Sequence, residues 1–229
     1  MTGTEYPAID RRGFLAGGLT AGALLTLPGA VLAQDADTAT EAVRRLMALA
    51  SGKALTRLGQ PNGFLTSTVA RFGLPVLFVK RGGAPAGPLA DVKFREQLIQ
   101  RLNILAEAGA RGAVPVVAEA ARRLAIADAP AVLRGKGPTA ATSAMRLEMG
   151  AGLVNALKAP LERAMTEAQD PIVAQAVAQL PGVAMGDVAN AVALSADNGI
   201  WYEIGSAEAD IRADPAATGD AVLIAALGA

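Results

Sequence analysis

From Glu41 onward, apolar residues recur at steps of three and four: Val43, Leu46, Met47, Ala50, Ala54 and Leu58. That spacing predicts an amphipathic helix, and Gly59 supplies its stop. "QPNGFLTSTVARFGLP" follows, with Asn62-Gly63 as turn chemistry and Pro75 ending any local helix. From Asp91 a second stripe carries Phe94, Leu98, Leu102 and Leu105, and Pro115 is expected to open the next helix. "DAPAVLRG" reads as a short helix capped by Asp128 and stopped by Gly135. Gly137-Pro138 then starts a longer helix with Met145, Met149, Leu153 and Leu157 at four-residue steps. Asp170-Pro171 and Asp214-Pro215 repeat one start signal, a capping carboxylate followed by proline at the first helical position. Ile200, Ile204, Ala207 and Ile211 form the core stripe of a penultimate helix. Alternating strand-type runs are scarce. The pattern predicts an all-α, single-domain bundle of amphipathic helices over residues 41–229, with residues 34–40 as a disordered lead-in.

The N-terminus breaks this pattern. After Arg11 and Arg12 no charge appears until Asp35, and the neutral run contains "GFLAGGLTAGALL". A helix of about 20 apolar residues can span a bilayer, but five glycines and Pro28 make this run poor anchor material. Its end, Val31-Leu32-Ala33, offers the small residues that a signal peptidase reads. Residues 1–33 are therefore expected to be a signal peptide, cut between Ala33 and Gln34. Arg11, Arg12, Phe14 and Leu15 resemble the twin-arginine export motif, without the lysine that often follows it. A general-secretion signal with two chance arginines is the alternative. Both place the mature chain in the periplasm, after contact with the export machinery and signal peptidase.

Charge then narrows the class of partner. The chain holds 21 basic and 21 acidic residues, and the leader removes two of each, so the mature chain stays neutral. A neutral surface gives no field for steering nucleic acid or anionic lipid. The mature aromatics are Phe64, Phe72, Phe78, Phe94, Trp201 and Tyr202, too scattered for a base-stacking platform. No nucleic-acid partner and no membrane span in the mature chain are expected.

Histidine and cysteine are both absent. Serine–histidine and cysteine–histidine nucleophile systems are thereby excluded, and zinc, copper, haem and iron–sulfur sites lose their usual ligands. "RGGAPAGP" is glycine-rich but lacks the lysine and hydroxyl of a phosphate loop, and reads as a flexible or irregular loop. In "RGKGPTAAT" Lys136 precedes Gly137 and Pro138 rather than a hydroxyl residue, so the stretch reads as a helix stop followed by a helix start. No catalytic residue, cofactor or metal site is assigned. The surviving enzyme reading is a hydrolase using two carboxylates, with Glu107, Glu119, Asp128 and Glu148 as candidates. Four acids facing one cleft would favour it; an open apolar groove would favour a binding protein.

Several short elements appear in a recognisable order. "GFL" stands at Gly63 to Leu65 and "LP" at Leu74-Pro75. "LN..AE" is formed by Leu102, Asn103, Ala106 and Glu107. "DA..VL.G" runs from Asp128 to Gly135, "TAAT" from Thr139 to Thr142, and "E..IR.DPA" from Glu208 to Ala216. In this order they resemble the bacterial family called domain of unknown function 4197. The resemblance implies an exported, mainly helical protein with no assigned activity. The chain departs from that family after "TAAT.", where Ala144 and Met145 replace the usual Tyr-Phe, so an aromatic-lined site is not expected there.

The reading that follows is a non-catalytic periplasmic module that binds an envelope protein or an apolar ligand. The envelope hydrolase is the alternative. A third reading lays "AVLIAALGA" on lipid, although that segment lacks the basic polar face of an interfacial helix. Asn103 and Glu107 lie four apart on one helix face beside an apolar stripe. They are expected to tie the central helix to a neighbour, and Asp128, Thr139, Thr142 and Arg212 are the partners the family-like elements offer.

Overall fold

The computed structural model describes residues 28–79, 87–135 and 137–228, with side chains from Ala36 onward. Nine α-helices and three short 3-10 turns account for the regular structure of these residues, and no strand occurs among them. The long helices are α1 (Pro28–Leu58), α3 (Val92–Arg122), α6 (Gly152–Ala168) and α8 (Met185–Ala213). They pack as a closed cycle of neighbours, α1 on α3, α3 on α6, α6 on α8 and α8 on α1.

The expected stripes line the space this cycle encloses. Val43, Leu46, Met47, Ala50, Ala54 and Leu58 of α1 are buried, as are Leu98 and Leu102 of α3, Leu153, Leu157 and Leu161 of α6, and Ile200, Ile204 and Ile211 of α8. Leu105 is only half-buried, at the edge of its stripe. Burying a leucine-sized side chain contributes about 1.5–3 kcal/mol, so these stripes dominate the fold's stability. The α3–α6 crossing is close because Gly109 and Gly112 stand opposite Leu161 and the ring of Pro160, where an added Cβ would collide.

Five shorter helices surround the cycle: α2 (Gly63–Thr66), α4 (Ala129–Arg134), α5 (Ala140–Met149), α7 (Pro171–Val177) and α9 (Ala221–Leu227). Their starts follow the capping logic of the sequence. Asp128 accepts from the Ala131 amide at 2.9 Å, and Asp170 from those of Ile172 and Val173. Asp214 opens a 3-10 turn, Pro215–Thr218, rather than an α-helix, and Asp220 caps α9. The "AVLIAALGA" helix buries Leu223 and packs against α1 and α4.

Three expectations need correction. Pro115 opens no helix, because α3 runs through it to Arg122. An internal proline costs about 3 kcal/mol, but buried Ala110, Ala113, Val117 and Ala121 hold the helix to its neighbours on both sides. The helix expected after Gly137-Pro138 is two helices, since Gly150 turns to φ 50° and separates α5 from α6. Residues 34–40, expected to be disordered, belong to α1. The first described buried residue is Ala39, so a chain beginning at Gln34 keeps every described core contact of α1. Arg11, Arg12, Phe14 and Leu15, most of "RGGAPAGP", and Lys136 lie outside the described residues.

Candidate functional site

The six polar residues singled out in the sequence form two groups, not one. Asn103 is fully buried on α3 and holds the irregular segment before Pro75. Its Nδ2 donates to the Phe72 carbonyl at 2.9 Å and to the Ile99 carbonyl at 2.8 Å, and its Oδ1 accepts from the Phe72 amide at 3.2 Å. Phe72 has no ladder or helix partner there, so a side chain must satisfy its backbone. The same contact sets the Phe72 ring edge-on against Phe64, centroids 6.1 Å apart.

One turn along, Glu107 faces the start of α2. Burial pushes its carboxyl above the ordinary range, opposed by the backbone amides of Asn62 and Gly63 and by Arg111. Its Oε1 has no hydrogen-bond partner among the described residues. Between the ordinary carboxylate value and the raised one, the folded chain holds more protons than the unfolded chain. Stability contributed by protonated Glu107 is thus lost as pH rises through that window and is level above it. Glu107→Gln should abolish this fall, read as the difference between variant and wild-type denaturant midpoints across pH. Parallel curves for the two proteins would refute the assignment.

The other four residues gather where α4, α5 and α8 meet, organised by a buried acid, Glu208. Its two oxygens accept from the amides of Ala141 (3.0 Å) and Thr142 (2.7 Å), which lie in the first turn of α5. Arg212 donates to Glu208 at 2.8 Å and to the Leu133 and Val132 carbonyls at the end of α4. Each charge meets the helix end of opposite sign. Asp128 caps α4, Thr139 precedes α5 without a capping bond, and the buried Thr142 hydroxyl has no partner among the described residues.

The four candidate acids do not share a cleft. Glu119 is partly exposed and pairs with Arg122 and Arg123, and Glu107 sits against α2. Asp128 and Glu148 do border one open apolar groove between α4 and α5, beside the exposed Leu147. The sequence reading missed Glu203, a buried acid on α8. It accepts from the Ser67 hydroxyl at 2.5 Å and pairs with Arg57, while Ser67 in turn caps the amides of Val69 and Ala70.

Two further clefts open along one face of α8. The first, about 630 Å³, lies between the 76–77 turn and α8 residues Asp187, Asn190, Ala191, Leu194, Ser195 and Asn198. The second, about 180 Å³, lies between α5 residues Thr142, Ser143 and Arg146 and α8 residues Trp201, Tyr202 and Gly205. Steps of three and four place all these α8 residues on one stripe. Between the clefts Arg146 reaches across to Asn198 and to Asp197 (3.4 Å), and Asp197 accepts from the Trp201 indole at 3.2 Å. Burial pushes the Asp197 carboxyl up, against the pull of Arg146 and of that indole bond. Val76, Leu194 and Tyr202 are 60%, 58% and 67% exposed.

Residues 33–228 match the family described as "Protein of unknown function (DUF4197)". The chain belongs to this family. No curated protein and no solved structure was found to match it. The elements by which this DUF4197 chain resembles its family have identifiable structural jobs. "GFL" and "LN..AE" meet where Glu107 faces α2, and "TAAT" and "E..IR" meet in the Glu208 clamp. Just after "TAAT", Met145 is buried and Ala144 lines the α4–α5 groove. Aromatic surface nevertheless borders "TAAT", because α8 brings Trp201 and Tyr202 there. No described helix is long and apolar enough to cross a membrane.

Proposed function

We propose that this DUF4197 protein is exported by the twin-arginine route, loses residues 1–33, and works in the periplasm as a non-catalytic binding module. The solvent face of α8 is its binding surface. The observation that carries this reading is the pair of clefts on a single α8 stripe, flanked by exposed Val76, Leu194 and Tyr202. The buried acids support it from the other side, since Glu203 and Glu208 are bound to neighbouring elements and Glu107 faces the amides at the start of α2, and the three are not directed at a common cleft. Arg11, Arg12, Phe14 and Leu15 support the route.

Intact mass of the exported protein should give a chain starting at Gln34, and lysine at both Arg11 and Arg12 should block export. Unchanged export would assign the signal to the general secretory route instead. Native mass spectrometry of protein recovered from its own periplasm should show a retained partner or ligand that Leu194→Asp releases. A partner held equally by Leu194→Asp would move the binding surface elsewhere.

A further inference from the structure

The α8 face is a groove with a specific chemistry. From Asp187 to Gly205 it runs about 27 Å at 1.5 Å per residue, with the two clefts as successive widenings. Its polar groups mix donors and acceptors: side-chain amides that do both, the Arg146 guanidinium that only donates, and at one end Asp187, which only accepts and already holds the Ala184 amide. Neither end of the Asn190 amide is engaged among the described residues, Asn198 uses only its oxygen, and Arg146 keeps Nη1 and Nε uncommitted. Ser143 and Thr142 add hydroxyls on the α5 wall, that of Ser143 already donating to the Thr139 carbonyl and that of Thr142 buried with no partner among the described residues. Arg146 is already paired with Asp197, so its charge is balanced and its remaining N–H groups act as donors without making the groove cationic. Tyr202 supplies an exposed aromatic face beside these groups.

An uncharged polyhydroxylated chain meets these conditions. A sugar ring has an apolar C–H face that packs on an aromatic ring, and hydroxyls that accept from a guanidinium and both donate to and accept from a side-chain amide. Peptides fit less well. An extended peptide docks on a free strand edge, and no strand exists among the described residues. A helical peptide needs an unbroken apolar groove, whereas Asn190 and Asn198 interrupt this one.

We infer that the groove binds a neutral saccharide chain, with one ring on Tyr202 and neighbouring hydroxyls on Arg146, Asn198 and Asn190. The inference rests on the α8 face being the binding surface. Trp201 is the one tryptophan of the chain and is bonded to Asp197, the partner of Arg146, so a ligand on Arg146 reaches its fluorescence through Asp197. The mature protein is titrated with a β-1,4-linked N-acetylglucosamine tetramer, with maltotetraose and with oligogalacturonate, following Trp201 emission.

A saturable change with a neutral tetramer is expected, weakened at least about ten-fold by Tyr202→Ala and by Asn198→Ala. Both side chains are exposed, so the melting curves of these variants should match wild type. No saturable response to either neutral tetramer overturns the inference, and tighter binding of oligogalacturonate overturns its neutral character. Recovery from the periplasm of a peptide or lipid that Tyr202→Ala sheds would overturn the saccharide while leaving the α8 surface in place.

Discussion

Glu208→Ala should lower the stability of the mature protein by about 3–5 kcal/mol, the usual cost of removing one member of a buried ion pair. Glu208 is fully buried and Arg212 nearly so, with 12% of its side chain exposed. The substitution removes the carboxylate from the Arg212 guanidinium, which keeps only the Leu133 and Val132 carbonyls, and takes the acceptor from the amides of Ala141 and Thr142. Glu208→Gln keeps one acceptor and loses the charge, so it should fall between alanine and wild type. Arg212→Ala should be nearly as damaging, because it frees the last carbonyls of α4 and leaves Glu208 charged without its partner. The double variant should then lose less than the two single losses combined, since the second deletion removes a group already stranded by the first. Denaturant midpoints of the four proteins decide this. A Glu208→Ala midpoint within about 0.5 kcal/mol of wild type, the range of ordinary surface sites, would show that the clamp is not what joins α4, α5 and α8.

That clamp was half legible in the sequence. Arg212 stood out as a partner with Asp128, Thr139 and Thr142, whereas Glu208, the residue that joins them, stood out only as the start of the "E..IR.DPA" element. The signal was there, because Glu208 lies four residues after Ile204 and three before Ile211, inside an apolar stripe where a carboxylate must be buried and paired. What was readable elsewhere was local. Asp128 and Asp170 cap their helices through bonds to amides two or three residues away, and the stripes of α1 and α8 depend only on helical period. What was not readable depended on neighbours. Pro115 remains helical because packing on both sides outweighs its cost, and Gly150 splits a run whose four-residue period continues unchanged across the break. The α8 groove shows both sides of this. The exposed stripe through Asn190, Leu194, Asn198 and Tyr202 is periodic and could have been counted, whereas its walls come from Val76 and Arg146, more than 50 residues away in the case of Arg146 and Asn198 by their own separation of 52.

Asn103→Ala should cost about 2–6 kcal/mol, from two orphaned groups on Phe72 at about 1–3 kcal/mol each. The damage should be local in origin, loosening the segment between α2 and Pro75 and the Phe64–Phe72 contact it supports. Asn103→Asp distinguishes this account from simple loss of packing. Aspartate keeps an acceptor for the Phe72 amide but sets a buried negative charge against the Phe72 and Ile99 carbonyls, so at neutral pH it should be worse than alanine. Acid should restore much of the loss, because a protonated carboxyl can donate to one of those carbonyls. Glu107 lies one helical turn away but meets Asn62, Gly63 and Arg111, and shares no partner with Asn103. The Asn103→Ala and Glu107→Gln effects should therefore add to within about 0.5 kcal/mol. A larger coupling would mean that the segments on either side of α2 move as one body, so that loosening Phe72 also displaces the amides facing Glu107.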